Sequence, residues 1–329
     1  MPAEGGSSAC LEVHGLGISY PGAGGWLAVL EDVSFELQAG ECVGLVGESG
    51  SGKSQACLAL MGLLPGAARV QGSVHLRGQP WTPGICATTG GAVPVRGRDI
   101  AMVFQDPMSS LTPHLRIGTQ LREVLRWHLR LDDVRAREAA AAMLGQVGIE
   151  DPADCLRRFP HELSGGMRQR VMIAMACQCR PAVLLADEPT TALDVTVQAQ
   201  VLNVLRGLRA DLRTAMLFVT HDLALLSGFA DRVLVLYAGR IVEEAPAAGL
   251  FAHPHHPYTV GLLACSPRWS SRPGDRLPTI AGHPPRPAER GAGCAFAPRC
   301  ARATERCVQQ RPALQPTREG GRVACHFPA

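Results

Sequence analysis

One segment of the chain carries the residues needed to hold a polyphosphate. Residues 47–54 read GESGSGKS, which fits the pattern of Gly, four residues, Gly, Lys and Ser. Glycines let the backbone curl so that several N–H groups face phosphate oxygens, and a helix that begins here adds the positive end of its dipole. The lysine reaches the β- and γ-phosphates, and the serine hydroxyl binds Mg²⁺. The candidate nucleotide-binding residues are Gly47, Glu48, Ser49, Gly50, Ser51, Gly52, Lys53 and Ser54.

Two adjacent acids end an apolar stretch further along the chain. The run 183–186 predicts a buried strand that delivers Asp187 to the Mg²⁺ ion of a bound nucleotide. Neighbouring residues on a strand face opposite ways, so Glu188 can instead polarise the attacking water as general base. Taken alone, two solvated acids at a strand end would be the simpler interpretation. Downstream of a phosphate-binding loop, the catalytic interpretation is favoured.

The elements around these residues predict an α/β fold. Residues 11–46 alternate apolar and polar positions, which predicts short strands, whereas residues 115–149 have helical spacing and predict a mostly helical insertion. From residue 183 onward strands and helices alternate, which predicts a parallel sheet covered on both faces. The individual predictions are strands at 41–46, 72–77, 100–104, 183–187, 215–220 and 232–237, and helices at 53–64, 195–211 and 223–229.

Bulk properties exclude several classes of protein. The net charge of +3 is too small to predict nucleic-acid binding. Residues 1–10 lack the basic and apolar regions of a secretory signal, and no apolar run is long enough to cross a bilayer. We therefore expect membrane contact only through a partner protein, and a reducing compartment for the twelve cysteines.

A third string, LSGGMRQR at residues 163–170, resembles the signature motif of the ABC transporter ATPases. It is another glycine-containing turn at a predicted helix start, which suits phosphate binding. In that family the signature holds the γ-phosphate of the nucleotide bound to the other subunit. The resemblance therefore implies that Ser164, Gly165 and Gly166 complete the ATP site of a paired ATPase subunit.

The remaining positions of the family are also filled, and the resemblance spans about residues 11–245. It implies that Gln105 senses Mg²⁺ and water, and that Asp194, in Ala192-Leu193-Asp194, crosses the dimer interface. It implies that His221 contacts the γ-phosphate and that Tyr20 stacks on adenine. The implied catalytic residues are Glu188, His221 and Gln105, and the implied Mg²⁺ ligands are Ser54, Gln105 and Asp187. The implied fold is a RecA-like P-loop core with an antiparallel β subdomain and a helical subdomain at about 106–175.

Within that family, two further strings and the tail resemble the oligopeptide/dipeptide importer subfamily. They are FQDPMSSLTP at 104–113 and HPYT at 256–259, the latter followed by Leu262, Leu263 and Pro267. The resemblance implies a second ABC ATPase subunit (as a hetero- or homodimer), two transmembrane permease subunits and an external substrate-binding protein. It also implies a peripheral position on the cytoplasmic face of a bacterial inner membrane. The same subfamily includes importers of nickel, metal chelates and opines, which remain alternatives.

Four cysteines crowd into the tail, at Cys294, Cys300, Cys307 and Cys325, with five, six and seventeen residues between them. Structural zinc sites usually contain a pair separated by two to four residues, which the tail lacks. Four thiolates without such a pair can ligate a [4Fe–4S] cluster, and members of the resembled subfamily carry one in this tail. We therefore hypothesise a cluster, with zinc and free thiols as alternatives, and interpret His253, His255 and His256 as part of a docking loop.

The domain organisation follows from the change in composition after Glu244. We expect an ABC ATPase domain at 1–245 and a small, irregular, proline-rich extension at 246–329. A soluble ABC ATPase of DNA repair or translation is the alternative function. It is disfavoured because the chain has one ATPase half and no heptad run.

Overall fold

The computed structural model describes residues 9–81, 96–191, 193–265 and 278–329. Its strands are β1 Leu11–Gly22, β2 Gly25–Leu37, β3 Cys42–Val46, β4 Arg69–Leu76, β5 Gln79–Trp81, β6 Ile100–Val103, β7 Val183–Asp187, β8 Ala215–Thr220, β9 Arg232–Tyr237, β10 Arg240–Pro246, β11 Gln315–Pro316 and β12 Arg322–Val323. Its α-helices are α1 Lys53–Met61, α2 Pro107–Ser110, α3 Ile117–Leu129, α4 Asp133–Gln146, α5 Pro152–Cys155, α6 Gly165–Cys177, α7 Val195–Leu212, α8 Ala247–Ala252, α9 Pro257–Cys265 and α10 Glu305–Gln309.

The first of two compact units comprises Met1–Leu11, Glu36–Glu41 and His75–Phe218. In it β7 lies between β6 and β8, and β6 runs parallel to β7 with Ile100 opposite Val183. All residues of these three strands are buried. Strands buried on both faces are typical of a parallel sheet covered by helices, as the sequence predicted.

The second unit comprises Glu12–Phe35, Cys42–Val74 and Val219–Ala329. Here β3 runs parallel to β9, which pairs antiparallel with β10. The tail continues this sheet, because β12 pairs antiparallel with β10 and β11 pairs with β12. The extension is therefore irregular in most of its length but ends in strands that extend the sheet of the ATPase domain. Strands β2, β1 and β4 are neighbours in another sheet.

The strands predicted at 183–187, 215–220 and 232–237 are confirmed to the residue. The helix predicted at 53–64 ends earlier, at Met61, because Gly62 adopts a left-handed conformation and its N–H caps the helix through Ala59. The helix predicted at 223–229 is wrong. Only a 3₁₀ turn at Leu223–Leu226 forms, and the left-handed Gly228 follows it.

The helical insertion predicted at 115–149 is confirmed as α3 and α4. Ile117, Leu121 and Leu125 of α3 recur at helical spacing and are all buried. Asp132 caps α4 by accepting a hydrogen bond from the Arg135 amide at 2.8 Å. Within the described part of the chain, no helix has the length and apolar content that a membrane span requires.

Candidate nucleotide-binding site

The phosphate-binding loop lies between a buried strand and a helix, as its chemistry requires. Strand β3 is buried at every residue and ends at Val46, and α1 begins at Lys53. Gly52 is the N-cap of α1 with φ of +108°, a conformation that side chains rarely adopt. A Cβ at Gly52 would also lie 2.4 Å from Leu30 Cδ2. The loop therefore depends on glycine here for both its conformation and its packing.

The side chain of Lys53 is held against the backbone of the phosphate-binding loop. Its side chain is almost completely buried, and its ammonium group donates hydrogen bonds to the carbonyls of Gly47 at 2.7 Å and Glu48 at 3.1 Å. The buried hydroxyl of Ser51 has no hydrogen-bond partner among the described residues. The first turn of α1 contains no acid, so the positive end of the helix dipole is not neutralised there. These features fit a polyphosphate.

Tyr20 lies beside the helix that follows the loop. Its hydroxyl donates a hydrogen bond to Oε1 of Gln55 in α1, and burial raises its pKa. The structure thus brings Tyr20 to the P-loop helix, although its stacking on adenine stays a prediction. His221 is exposed and directly follows the last residue of β8, as predicted.

The two adjacent acids at the end of β7 have different environments. Asp187 ends the strand and is 5% exposed. Glu188 is half-buried and has φ of +47°, a left-handed conformation that is strained for a residue with a side chain. Its Oε2 accepts hydrogen bonds from Gln105 Nε2 at 3.2 Å and from Thr191 Oγ1 at 2.9 Å.

The structure thus joins the predicted base to the predicted Gln105 and adds Thr191, which the sequence analysis missed. A hydroxyl three residues after the acid was the available signal. It is weak, because hydroxyl residues are common in turns.

The signature residues begin α6. Ser164 is the N-cap and accepts a hydrogen bond from the Met167 amide at 3.3 Å. A Cβ at Gly166 would lie 2.8 Å from Val197 Cγ1 of α7, so glycine is needed for the close approach of the two helices. A Cβ at Gly165 would meet no atom of the described chain within 4 Å, which leaves room for an external group. Asp194 caps α7 through the Val197 amide at 2.9 Å; the neighbouring Ala192 lies outside the described residues, as does Pro267.

The four tail cysteines gather around one pocket, although they are far apart in sequence. Burial raises the pKa of Cys294, and the neighbouring thiols of Cys325 and Cys307 raise it further. Burial likewise raises the pKa of Cys325, with contributions from Cys300 and Cys307. The four thiols therefore lie within electrostatic reach of one another.

Their spacing can be compared with a zinc site. Zinc–thiolate bonds of about 2.3 Å in a tetrahedron place the sulfurs about 3.8 Å apart. Among the described residues, no three cysteines have their sulfur atoms all within 4.8 Å of one another. The thiols therefore lie farther apart than they would around a bound zinc ion.

A glycine-rich loop before α1, two adjacent acids at the end of β7 and a serine-capped pair of glycines at the start of α6 together define a P-loop ATPase of the ATP-binding-cassette class. Residues 30–191 match the model of the family "ABC transporter". Residues 242–307 match the model of the family "Oligopeptide/dipeptide transporter, C-terminal region". The oligopeptide transport ATP-binding protein OppD of Salmonella typhimurium is 44% identical over 324 residues, which cover 98% of this chain and 95% of that protein. OppD of Haemophilus influenzae is 45% identical, covering 90% of this chain and 91% of that protein.

A solved structure gives the same assignment. The ATP-binding cassette MJ0796, in a dimeric post-hydrolysis state bound to ADP and phosphate, has a TM-score of 0.63 and 26% identity. It covers 72% of this chain and 98% of its own. The chain belongs to the ABC transporter family and is an ATP-hydrolysing subunit of that family.

Proposed function

We propose that this chain is the ATP-binding and ATP-hydrolysing subunit of an ABC importer for dipeptides or oligopeptides. The observation that carries the proposal is the length of the resemblance to OppD, which includes the tail as well as the ATPase domain. We retain the division into an ABC ATPase domain at 1–245, with a helical subdomain at about 106–175, and an extension at 246–329. Nickel, metal chelates and opines are the alternative cargoes.

The loop residues bind the phosphates of ATP. The backbone amides of residues 49–54 and the N-terminus of α1 face the negative charge, and the ammonium group of Lys53 moves from its two carbonyl partners to the β- and γ-phosphates. Ser54 and Asp187 are the Mg²⁺ ligands, with Gln105 as a further one. Magnesium neutralises the charge that develops on the phosphate oxygens. Tyr20 contacts the adenine.

Hydrolysis depends on Glu188. Its carboxylate takes a proton from water as the water oxygen bonds to the γ-phosphorus and ADP leaves. The hydrogen bonds from Gln105 and Thr191 fix the carboxylate in one orientation, so that its other oxygen faces the water. His221 contacts the γ-phosphate.

A second ATPase subunit completes each site. Ser164, Gly165 and Gly166 bind the γ-phosphate of the nucleotide held by that subunit, and Asp194 lies at the interface between the two. The open space around Gly165 supports this role, since it admits the partner's nucleotide. ATP binding closes the two ATPase subunits and hydrolysis opens them, and two permease subunits follow this movement. An external binding protein delivers the cargo. The complex places this chain at the cytoplasmic face of the inner membrane.

The tail cysteines Cys294, Cys300, Cys307 and Cys325 ligate a [4Fe–4S] cluster. The convergence of all four thiols on one pocket supports this proposal. Protein purified without oxygen should be brown and contain about four irons per chain. Stoichiometric zinc without iron would refute the cluster.

Reconstitution in vesicles tests the transport function. The assembled complex should hydrolyse ATP faster when its binding protein carries peptide, and peptide should accumulate inside. If nickel, a metal chelate or an opine stimulates ATP hydrolysis and peptide does not, the cargo is that alternative and not a peptide. Recovery of the chain only with ribosomes or DNA would remove the transport function altogether.

A further inference from the structure

Arg299 and Tyr258 of the extension both form hydrogen bonds with Glu48 of the phosphate-binding loop. Arg299, in the tail, donates from Nη1 to Oε2 of Glu48 at 2.9 Å and from Nη2 to Oε1 at 3.1 Å. This two-pronged pairing is the strongest geometry available to an arginine and a carboxylate. The Arg299 side chain is only 5% exposed and that of Glu48 is 24% exposed, so water screens the pair weakly.

The backbone of the same loop residue is held as well. The Glu48 amide donates a hydrogen bond to the hydroxyl of Tyr258 at 2.9 Å. Tyr258 is fully buried, with its ring 4.5 Å from that of Tyr237 and 5.5 Å from that of Phe296. Glu48 is thus fixed at both its side chain and its amide by residues more than 200 positions later in the chain.

Arg299 is itself held in place by the tail. Its Nε donates to the carbonyl of Ala281 at 2.9 Å, and Nη2 donates to that of Ile280 at 3.2 Å. Its Nη1 also lies 3.3 Å from the hydroxyl of Tyr237. An arginine with this many fixed partners cannot move to another carboxylate without losing them. Arg299 therefore couples the position of the tail to the position of Glu48 in the loop.

Glu48 matters to nucleotide binding in two ways. The Glu48 carbonyl is one of the two acceptors of the Lys53 ammonium group. The position of Glu48 therefore helps to set the position of that ammonium group before ATP binds. Its carboxylate is a negative charge in a loop that must accept the negative phosphates, and Arg299 neutralises that charge. Loss of the arginine would leave a partly buried, unpaired acid at an anion site, which weakens anion binding.

We propose that Arg299 and Tyr258 are positioning residues for ATP, acting through Glu48. The extension is then part of the nucleotide site, and its packing sets the affinity of the loop for ATP. This inference rests on the proposed ATP-binding role of the loop. It predicts a change in ATP affinity and KM, with kcat at saturating ATP preserved, because Glu188 and its partners are untouched.

The test uses the full chain for ATP binding and the assembled complex for turnover. Arg299→Ala should weaken ATP binding and raise KM by about 5-fold or more, the lower end of typical coupling between sites. Saturating kcat should stay within about two-fold. Arg306→Ala is the matched control, because Arg306 is an exposed tail arginine of α10 that donates a hydrogen bond to Gln310, the residue after that helix. It should change neither quantity. Equal values for the two variants would overturn the proposal.

Two further variants guard against a folding defect. In a Glu48→Gln background there is no charge to neutralise, so Arg299→Ala should weaken ATP binding by less than about two-fold. Tyr258→Phe keeps the buried ring and removes only the acceptor of the Glu48 amide, and it should raise KM by a smaller factor than Arg299→Ala. A full effect of Arg299→Ala in the Glu48→Gln background, or no effect of Tyr258→Phe, would contradict the mechanism.

The parent chain and Lys53→Ala separate this inference from the proposed function. If the parent fails to bind ATP, or if Lys53→Ala binds it equally well, the loop is not the ATP site and the proposed function fails. If the parent binds ATP through Lys53 and Arg299→Ala binds it equally well, only the role of the extension fails.

Discussion

Replacing Glu188 with glutamine tests the catalytic centre most directly. The change keeps the shape of the side chain and removes its ability to take a proton. The amide oxygen of glutamine can still accept the hydrogen bond that Thr191 Oγ1 donates at 2.9 Å, so the side chain should keep its place. Nucleotide binding should survive, because Lys53 and the loop are unchanged.

The expected magnitude follows from the role of the group. A positioned general base contributes about 10²- to 10⁴-fold, which corresponds to about 3–5 kcal/mol of barrier. Thr191→Val is the comparison, because it removes one hydrogen bond to Glu188 and leaves the base. A hydrogen bond to a charged group contributes about 1.5–3 kcal/mol. Because Gln105 still donates to the carboxylate, turnover should fall by about ten-fold, which corresponds to the lower end of that range.

The assay is phosphate release by the assembled complex at saturating ATP, with the companion subunit's own base replaced so that only this site turns over. ATP binding is measured in parallel. Turnover by Glu188→Gln at the parent rate would show that Glu188 is not the base. A loss in Thr191→Val as large as that in Glu188→Gln would show that Thr191 does more than orient the carboxylate.

Three further predictions concern packing, a buried thiol and the tail. Gly166→Ala should lower the melting temperature, by the equivalent of about 1–3 kcal/mol, and Val197→Ala should recover most of the loss because it removes the clashing methyl. Burial raises the pKa of Cys177 to about 12, so the thiol is protonated at pH 8 and iodoacetamide should modify it only after unfolding, as peptide mass spectrometry would report. If the proposed cluster is bound in the tail, removing its iron should raise KM for ATP in the parent chain and leave it unchanged in Arg299→Ala, since Arg299 adjoins Cys300.

Local strings were predicted well, and pairings between distant segments were not. The loop at 47–54 and the strand at 183–187 were found because spacing along the chain specifies their geometry. The helix predicted at 223–229 was wrong because apolar spacing did not outweigh the left-handed Gly228. The strand β12 was missed, since two residues that pair with β10 leave no periodic pattern.

The sequence by itself determined the chemistry: the glycines, Lys53 and Ser54 that suit a phosphate, the acid at 188 that suits a base, and the family to which they belong. These residues stand in short contiguous segments, so the residue types and their spacing are enough to predict the local backbone geometry and the chemistry. Only the tertiary structure decided which distant groups act on them. Among 32 basic and 29 acidic residues, nothing in the sequence selects Arg299 for Glu48, 251 positions away, or joins Gln105 to Glu188. Such pairs form because the packed chain brings distant groups together, and around Arg299 and Glu48 it also removes much of the water. Both effects are properties of the fold as a whole.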